Sequence, residues 1–169
     1  MIRPILRYGD ATLHTKAVRV DRFDDELRKL LRDMAETMYS APGVGLAAPQ
    51  IGVALRVFVI DISVGKRPGE LIEMVNPEFV VCEGMQLEEE GCLSIPGFEA
   101  TVVRPMRAVV RGFDRDGGDR TIEGAGLLAR ALQHEMDHLD GSLFVSRLRG
   151  IKRDVILRKV QKLQRTGKW

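Results

Sequence analysis

His134 and His138 stand four residues apart in QHEMDHLDG, with Glu135 between them. On a helix that spacing puts both imidazoles on one face. Such a pair can hold a divalent metal, and the intervening glutamate can reach a metal-bound water as a general base. The competing reading is two histidines on an ordinary helix. A catalytic metal needs at least one more protein ligand. The only other histidine, His14, lies in a polar N-terminal segment and reads as a surface residue.

The missing ligand is not downstream in either familiar position. One group of zinc proteases continues as H-E-x-x-H-x-x-G-x-x-H. The chain follows that pattern through Gly141, and then Phe144 stands where the third histidine belongs. A second group takes a downstream glutamate, and no glutamate follows Glu135. Asp137 and Asp140 are off the face that carries both histidines, and Asp154 sits in a basic stretch that would have to fold back. The ligand is therefore sought upstream. Cys92, in EEEGCLSIPG, is the leading candidate, because a thiolate suits zinc or ferrous iron and Gly91 lets backbone approach closely. Cys82, in FVVCEG, is its rival and reads as a buried strand residue. Two His, one Cys and an open position make a catalytic rather than a structural arrangement.

GVGLAA (43–48) fits the loose dinucleotide fingerprint G-x-G-x-x-A. That motif needs a strand before it and a helix after it, whereas here a helix precedes and a strand follows, so nucleotide binding is rejected. Two readings stay open: a plain connection, or a backbone that approaches a ligand with the Gln50 amide beside it.

The elements that must position these residues read as follows. Residues 24–40 place Leu27, Leu30, Leu31, Met34 and Met38 at helical spacing, with Asp24 and Asp25 at the end where carboxylates meet the helix dipole. Residues 54–61 read as a strand, 71–97 as two or three short strands, and 101–118 as another that Pro105 interrupts. The DRDGG segment is a tight turn. A second helix spans 124–141, ended by Gly141, and a third spans 151–165 with Ile151, Val155, Val160 and Leu163 on one face. The order predicts an α+β fold, with mixed or antiparallel strands packed around a central metal-binding helix and a helix towards each terminus.

The 169 residues, 44% hydrophobic and 30% charged, suit a single catalytic domain over 1–169. No apolar run approaches a membrane span and no secretory leader is evident, so a soluble protein without a membrane partner is expected. The net charge of +2 does not argue for nucleic acid, but nine of the residues from Arg147 onward are basic and only Asp154 is acidic.

GVGLAAPQ (43–50), EGCLS (90–94) and QHEMDHLDG (133–141) together resemble the three motifs of the peptide deformylases, in the same order and with similar spacing, the bacterial type being nearest. The resemblance implies a metal-dependent amidase that removes the formyl group from N-formylmethionyl nascent peptides and releases formate. It implies Cys92, His134 and His138 as ligands of one divalent metal ion, with a metal-bound water attacking the formyl carbonyl and Glu135 as general base and then acid. It also implies Gln50, through its side chain, and Leu93, through its N–H, as oxyanion donors. Gly45 would bind the substrate backbone as an added strand, and Val44, Leu127, Arg130 and Ala131 would line the methionine pocket. Fe2+ is the metal implied in the cell, with Zn2+, Ni2+ or Co2+ as alternatives, and the cytoplasm of a bacterium is the implied location. The basic helix from 151 is either a solvated face or a docking element for ribosomal phosphates. An endopeptidase with the same chemistry, and an inactive metal-binding or ribosome-associated protein, are the other classes. The retained Glu135 argues against the last, since a purely structural site needs no base.

Overall fold

The computed structural model describes residues 1–169. Its first long helix, α1 (Asp25–Ser40), begins where the Asp24 side chain accepts a hydrogen bond from the Leu27 N–H, satisfying one of the otherwise orphaned amides of the first turn. The five apolar residues anticipated on its inner face are all buried. Strands β1 (Gly45–Ala47), β2 (Val57–Ile60), β3 (Ile72–Glu83), β6 (Arg107–Phe113) and β7 (Asp119–Ala125) form one antiparallel sheet in the order β1-β2-β3-β6-β7. Between β3 and β6 in sequence, β4 (Gln86–Cys92) and β5 (Ile95–Arg104) form a separate two-stranded ribbon. The helix α2 (Leu127–Leu139) carries the His-Glu-x-x-His segment, and α3 (Ile151–Arg165) follows it.

β2 explains the layering. Its sequence VFVI is apolar at every position and buried at every position. Val57 and Val59 pack with the α1 face, while Phe58 and Ile60 pack with the α2 face. Successive strand residues point to opposite faces, so a continuous apolar run means that both faces are covered. The sheet is thus held between α1 and α2. A third core, built on Ile95, Val102, Phe144, Ile156 and Val160, joins the ribbon to α3.

The α+β class, the antiparallel strands, the central helix and the two flanking helices agree with expectation. Four local expectations need correction. Gly124 and Ala125 complete β7, so the central helix starts at Leu127 and not at 124. The stretch 101–118 is not one interrupted strand: it holds the end of β5 and all of β6, divided at Pro105, which cannot donate to a ladder. The inner face of α3 is Ile156 and Val160, whereas Ile151 is 79% exposed and Val155 is half-exposed. Cys82 is in a strand as anticipated but is exposed, because it lies on the part of β3 that runs beyond the core. His14 is exposed as expected. No helix is long and apolar enough to cross a membrane.

Candidate active site

α2 ends with Gly141 at φ 79°, its N–H donating to the His138 carbonyl at 3.1 Å and the Ser142 N–H donating to the Asp137 carbonyl at 2.9 Å. This left-handed stop favours glycine. It also brings the end of the helix against the N-terminal segment, where a Cβ on Gly141 would lie 3.0 Å from the Thr15 carbonyl carbon. The helix is therefore fixed in rotation, and its histidine face meets the ribbon.

The last residue of β4, at the hairpin to β5, supplies the cysteine. Cys92 Sγ lies 3.3 Å from His138 Nε2, and the ligating atoms of Cys92, His134 and His138 all fall within 4.8 Å of one another. Tetrahedral coordination with ordinary metal–sulfur and metal–nitrogen bonds puts ligand atoms about 3.5 Å apart. The three side chains fit one metal ion, and Cys82 is not among them. The two imidazoles are shifted in opposite directions. Burial by itself would lower the His134 pKa, but the Glu135 charge and the Cys92 thiol raise it well above the ordinary imidazole value. Burial and the neighbouring His134 depress His138 well below it.

His134 Nδ1 is 2.6 Å from Glu90 Oε2, leaving Nε2 for the metal side. Glu90 also accepts from Arg104 and from Arg130 Nη1 at 2.8 Å. Burial works against its ionisation, yet the bonds from Arg104 and His134 prevail and hold it far below the usual carboxylate range. Arg104, itself 1% exposed, continues to Asp137, which Arg147 grips through two bonds of 2.7 Å. Such outer partners fix ring orientation and tautomer.

Glu135 is 2% exposed, and burial raises its pKa to about 7. Its Oε2 lies against Gly45, where a Cβ would come 2.5 Å from it, so a side chain at that strand position would push the carboxylate aside. Its Oε1 is buried without a hydrogen-bond partner, as is His138 Nδ1. An unpaired carboxylate oxygen beside a metal-binding cluster is free to take a proton. Gln50 sits in the tight turn Ala48–Ile51 after β1 and is fully fixed. Its Oε1 accepts from the Ala47 N–H at 3.0 Å, and its Nε2 donates to Ser94 Oγ at 3.1 Å and points at Cys92 Sγ at 3.7 Å. The amide N–H face of Gln50 is thereby turned to the site.

These groups lie in a cleft of about 920 Å³ lined by Val44, Gly45, Gln50, Cys92, Leu93, Leu127, Arg130, Ala131, His134 and Glu135, among others. His138 lies behind them, 0% exposed. β1 is an edge strand, with one side paired to β2 and the other towards the cleft. Arg130 contributes less directly than expected for an apolar wall. Its guanidinium is engaged by Glu90, Gln86 and the Val102 carbonyl, so its methylene stem is what it offers the cleft. Glu90, Ser94, Arg104, Asp137 and Arg147 carried no assignment from the sequence. Their pairing depends on the ribbon register, and the one available signal was the acidic run before Cys92.

A helix presenting His-Glu-x-x-His to a hairpin cysteine, beneath the free edge of a sheet, has the donor set and base of a metal-dependent hydrolase. The polypeptide deformylase family profile matches residues 2–154. A peptide deformylase of Acidobacterium capsulatum is 50% identical over 169 residues, spanning 100% of this chain and 99% of that protein. The crystal structure of a peptide deformylase from Legionella pneumophila superposes with a TM-score of 0.91 at 50% identity, covering 99% of this chain and 98% of that one. A peptide deformylase from Synechococcus elongatus in complex with actinonin gives 0.89 at 40% identity, covering 95% and 90%. The chain belongs to the polypeptide deformylase family, a family of enzymes.

Proposed function

We propose that this enzyme removes the formyl group from N-formylmethionyl peptides, releasing formate and a free α-amino group. The observation that carries the reading is the convergence of Cys92, His134 and His138 beside an unpaired Glu135 oxygen and the Gln50 amide. A divalent metal ion held by those three side chains would supply an acidified water and polarise the formyl oxygen.

The chain's own groups do the rest. Glu135, buried and with one oxygen unpaired, takes a proton from the attacking water and returns it to the leaving amine. Gln50 Nε2 and the Leu93 N–H donate to the oxygen on which charge develops, each such donor being worth ~3 kcal/mol of barrier. The substrate backbone adds to the free edge of β1 at Gly45. Val44, Leu127, Arg130 and Ala131 wall the pocket for the methionine side chain.

Formate release from a formyl-Met peptide, compared with an N-acetylated peptide and an unblocked longer peptide, tests the reading. Cleavage of the internal peptide bond in preference to formate release would replace it with an endopeptidase. Fe2+ is the metal we assign in the bacterial cytoplasm. Loss of activity in air with retention after nickel substitution supports iron, and full activity of air-purified zinc protein opposes it.

α3 presents Lys152, Arg153, Arg158, Lys159 and Lys162 to solvent while burying only Ile156 and Val160. We assign this basic face to docking on ribosomal RNA phosphates. Reversing three of these charges should weaken cosedimentation with ribosomes at low salt and spare turnover of a formylated dipeptide. Unchanged cosedimentation would sink the assignment.

A further inference from the structure

The N-terminal segment spans the two loops that carry Gln50 and Leu93. Leu6 N–H donates to the Gln50 carbonyl at 2.7 Å, and Tyr8 N–H donates to the Ser94 carbonyl at 2.8 Å. The two loops also meet directly, through the Gln50 Nε2 to Ser94 Oγ bond. The spacing between the Gln50 amide and the Leu93 N–H is therefore set partly by residues 6–8, of which Arg7 lines the cleft rim. The same segment is gripped from its far side. The Tyr8 carbonyl accepts from the Trp169 indole Nε1 at 2.9 Å and from Gln164 Nε2 at 3.2 Å. Trp169 also lies under the Arg7 guanidinium, 5.7 Å from ring centroid to Cζ, and 6.2 Å from the ring of Phe98 on the cleft rim.

We propose that Trp169, with Gln164, is a positioning residue for the hydrolytic site: by holding the Tyr8 carbonyl it makes Leu6–Tyr8 a strut that fixes Gln50 relative to Leu93. The inference rests on the reading of those two residues as oxyanion donors. An indole suits the task, because its rigid body packs while its single N–H aims at one acceptor. Oxyanion donors act in the transition state, so loosening the strut lowers kcat and leaves KM in place. Donor geometry is steep enough that a small displacement from a remote change is felt in the rate. The strut also ties the basic helix to the catalytic loops, so occupancy of α3 and geometry at Gln50 share one connection.

The test uses the full-length enzyme as wild type, Trp169→Phe, and the double variant Trp169→Ala with Gln164→Ala. Amide hydrogen exchange at Leu6 and Tyr8 and steady-state kinetics on a formyl-Met dipeptide are measured well below each melting temperature. In the double variant both amides should exchange about ten-fold faster or more. Its kcat should fall roughly five-fold or more, with KM within about two-fold. Trp169→Phe keeps the ring contact and the Gln164 bond, so it should fall between the two. Faster exchange with wild-type kcat would make the tail a stabilising contact only and overturn the proposal, as would unchanged exchange. If the wild type releases no formate, the deformylase reading is what fails, and an unchanged exchange rate at Leu6 and Tyr8 still overturns the strut.

Discussion

α1 and α2 cover opposite faces of one sheet with apolar residues, but α2 also buries a large polar set on its remaining surface. α1 hides Leu27, Leu30, Leu31, Met34 and Met38, with Asp33 and Thr37 as its polar exceptions. Among the residues α2 hides are Arg130, Gln133, Glu135, Asp137 and His138. Burying an apolar face stabilises the fold without specifying much beyond size. Burying charge costs desolvation that only close pairing offsets. On α2 the pairing is nearly complete: Arg130 to Glu90, Asp137 to Arg104 and Arg147, and Gln133 to the Pro105 and Ala129 carbonyls. The unpaired atoms, Glu135 Oε1 and His138 Nδ1, belong to the reactive cluster. Both helices hold the sheet through apolar contacts, and the polar flank that α2 turns to the β4–β5 ribbon trades stability for a prearranged site.

The sharpest way to break this contrast is Glu135→Ala. Loss of the general base should cut formate release by about 10³-fold, with metal content kept. Thermal stability should be equal or higher, since a buried carboxylate with an unpaired oxygen is removed. A melting temperature that falls along with activity would mean that Glu135 is structural.

Arg104→Met, in the ribbon against α2, and Leu31→Ala, on the inner face of α1, form a pair of similar size. Arg104→Met leaves Glu90 and Asp137 short of a buried partner and should cost about 4 kcal/mol. Leu31→Ala opens a cavity beneath α1 and should cost about 3 kcal/mol. Only the first should loosen metal binding, measured as loss to a chelator in protein that is still folded. Equal metal loss in both would erase the distinction. A smaller step on the same line is Glu90→Gln, which keeps shape but weakens the grip on His134 Nδ1. Metal affinity should drop about 10- to 100-fold while the melting temperature moves far less than in Arg104→Met.

The same contrast explains what could be read from sequence. The α1 side obeys periodicity, so its helix and inner face were legible residue by residue. The reactive side was legible where a motif fixes chemistry locally: the histidine spacing and the cysteine after Gly91, whereas the approach of Gly45 to Glu135 was not read. It was not legible where two distant strands decide the partner. Glu90 faces α2 because of the β4–β5 register, which pairs it with Ala100 and sets Arg104 opposite Gln86. A one-residue slip would turn all of them to the other face. The α3 seam was right at Val160 and wrong at Ile151 and Val155, for a related reason. Helical spacing admits several stripes through Ile151–Leu163, and only the third core, present after folding, selects Ile156 and Val160.

The smallest expected effect sits on the α1 side and tests whether that side is independent of the chemistry. Asp61, at the end of β2, accepts from the Ser63 N–H at 2.9 Å, Ser63 Oγ at 2.6 Å, Tyr39 O–H at 2.6 Å and the Gly65 N–H at 3.1 Å. Burial alone would raise its pKa, but the bonds from Ser63 and Tyr39 outweigh it and hold the group below the ordinary aspartate value. A folded pKa lower than the unfolded one means that the ionised form favours the native state. Its contribution is complete above the unfolded value near pH 4 and is lost as pH falls through the folded one. Asp61→Asn should therefore cost about 1–2 kcal/mol in urea unfolding at pH 7. The gap from wild type should narrow steadily below about pH 4. Formate release by the folded variant should not change, because none of the four bonds reaches α2. A gap that stays constant down to pH 3 would show that the side chain acts by shape and not by charge. Reduced kcat at neutral pH would show that the two faces of the sheet are coupled after all.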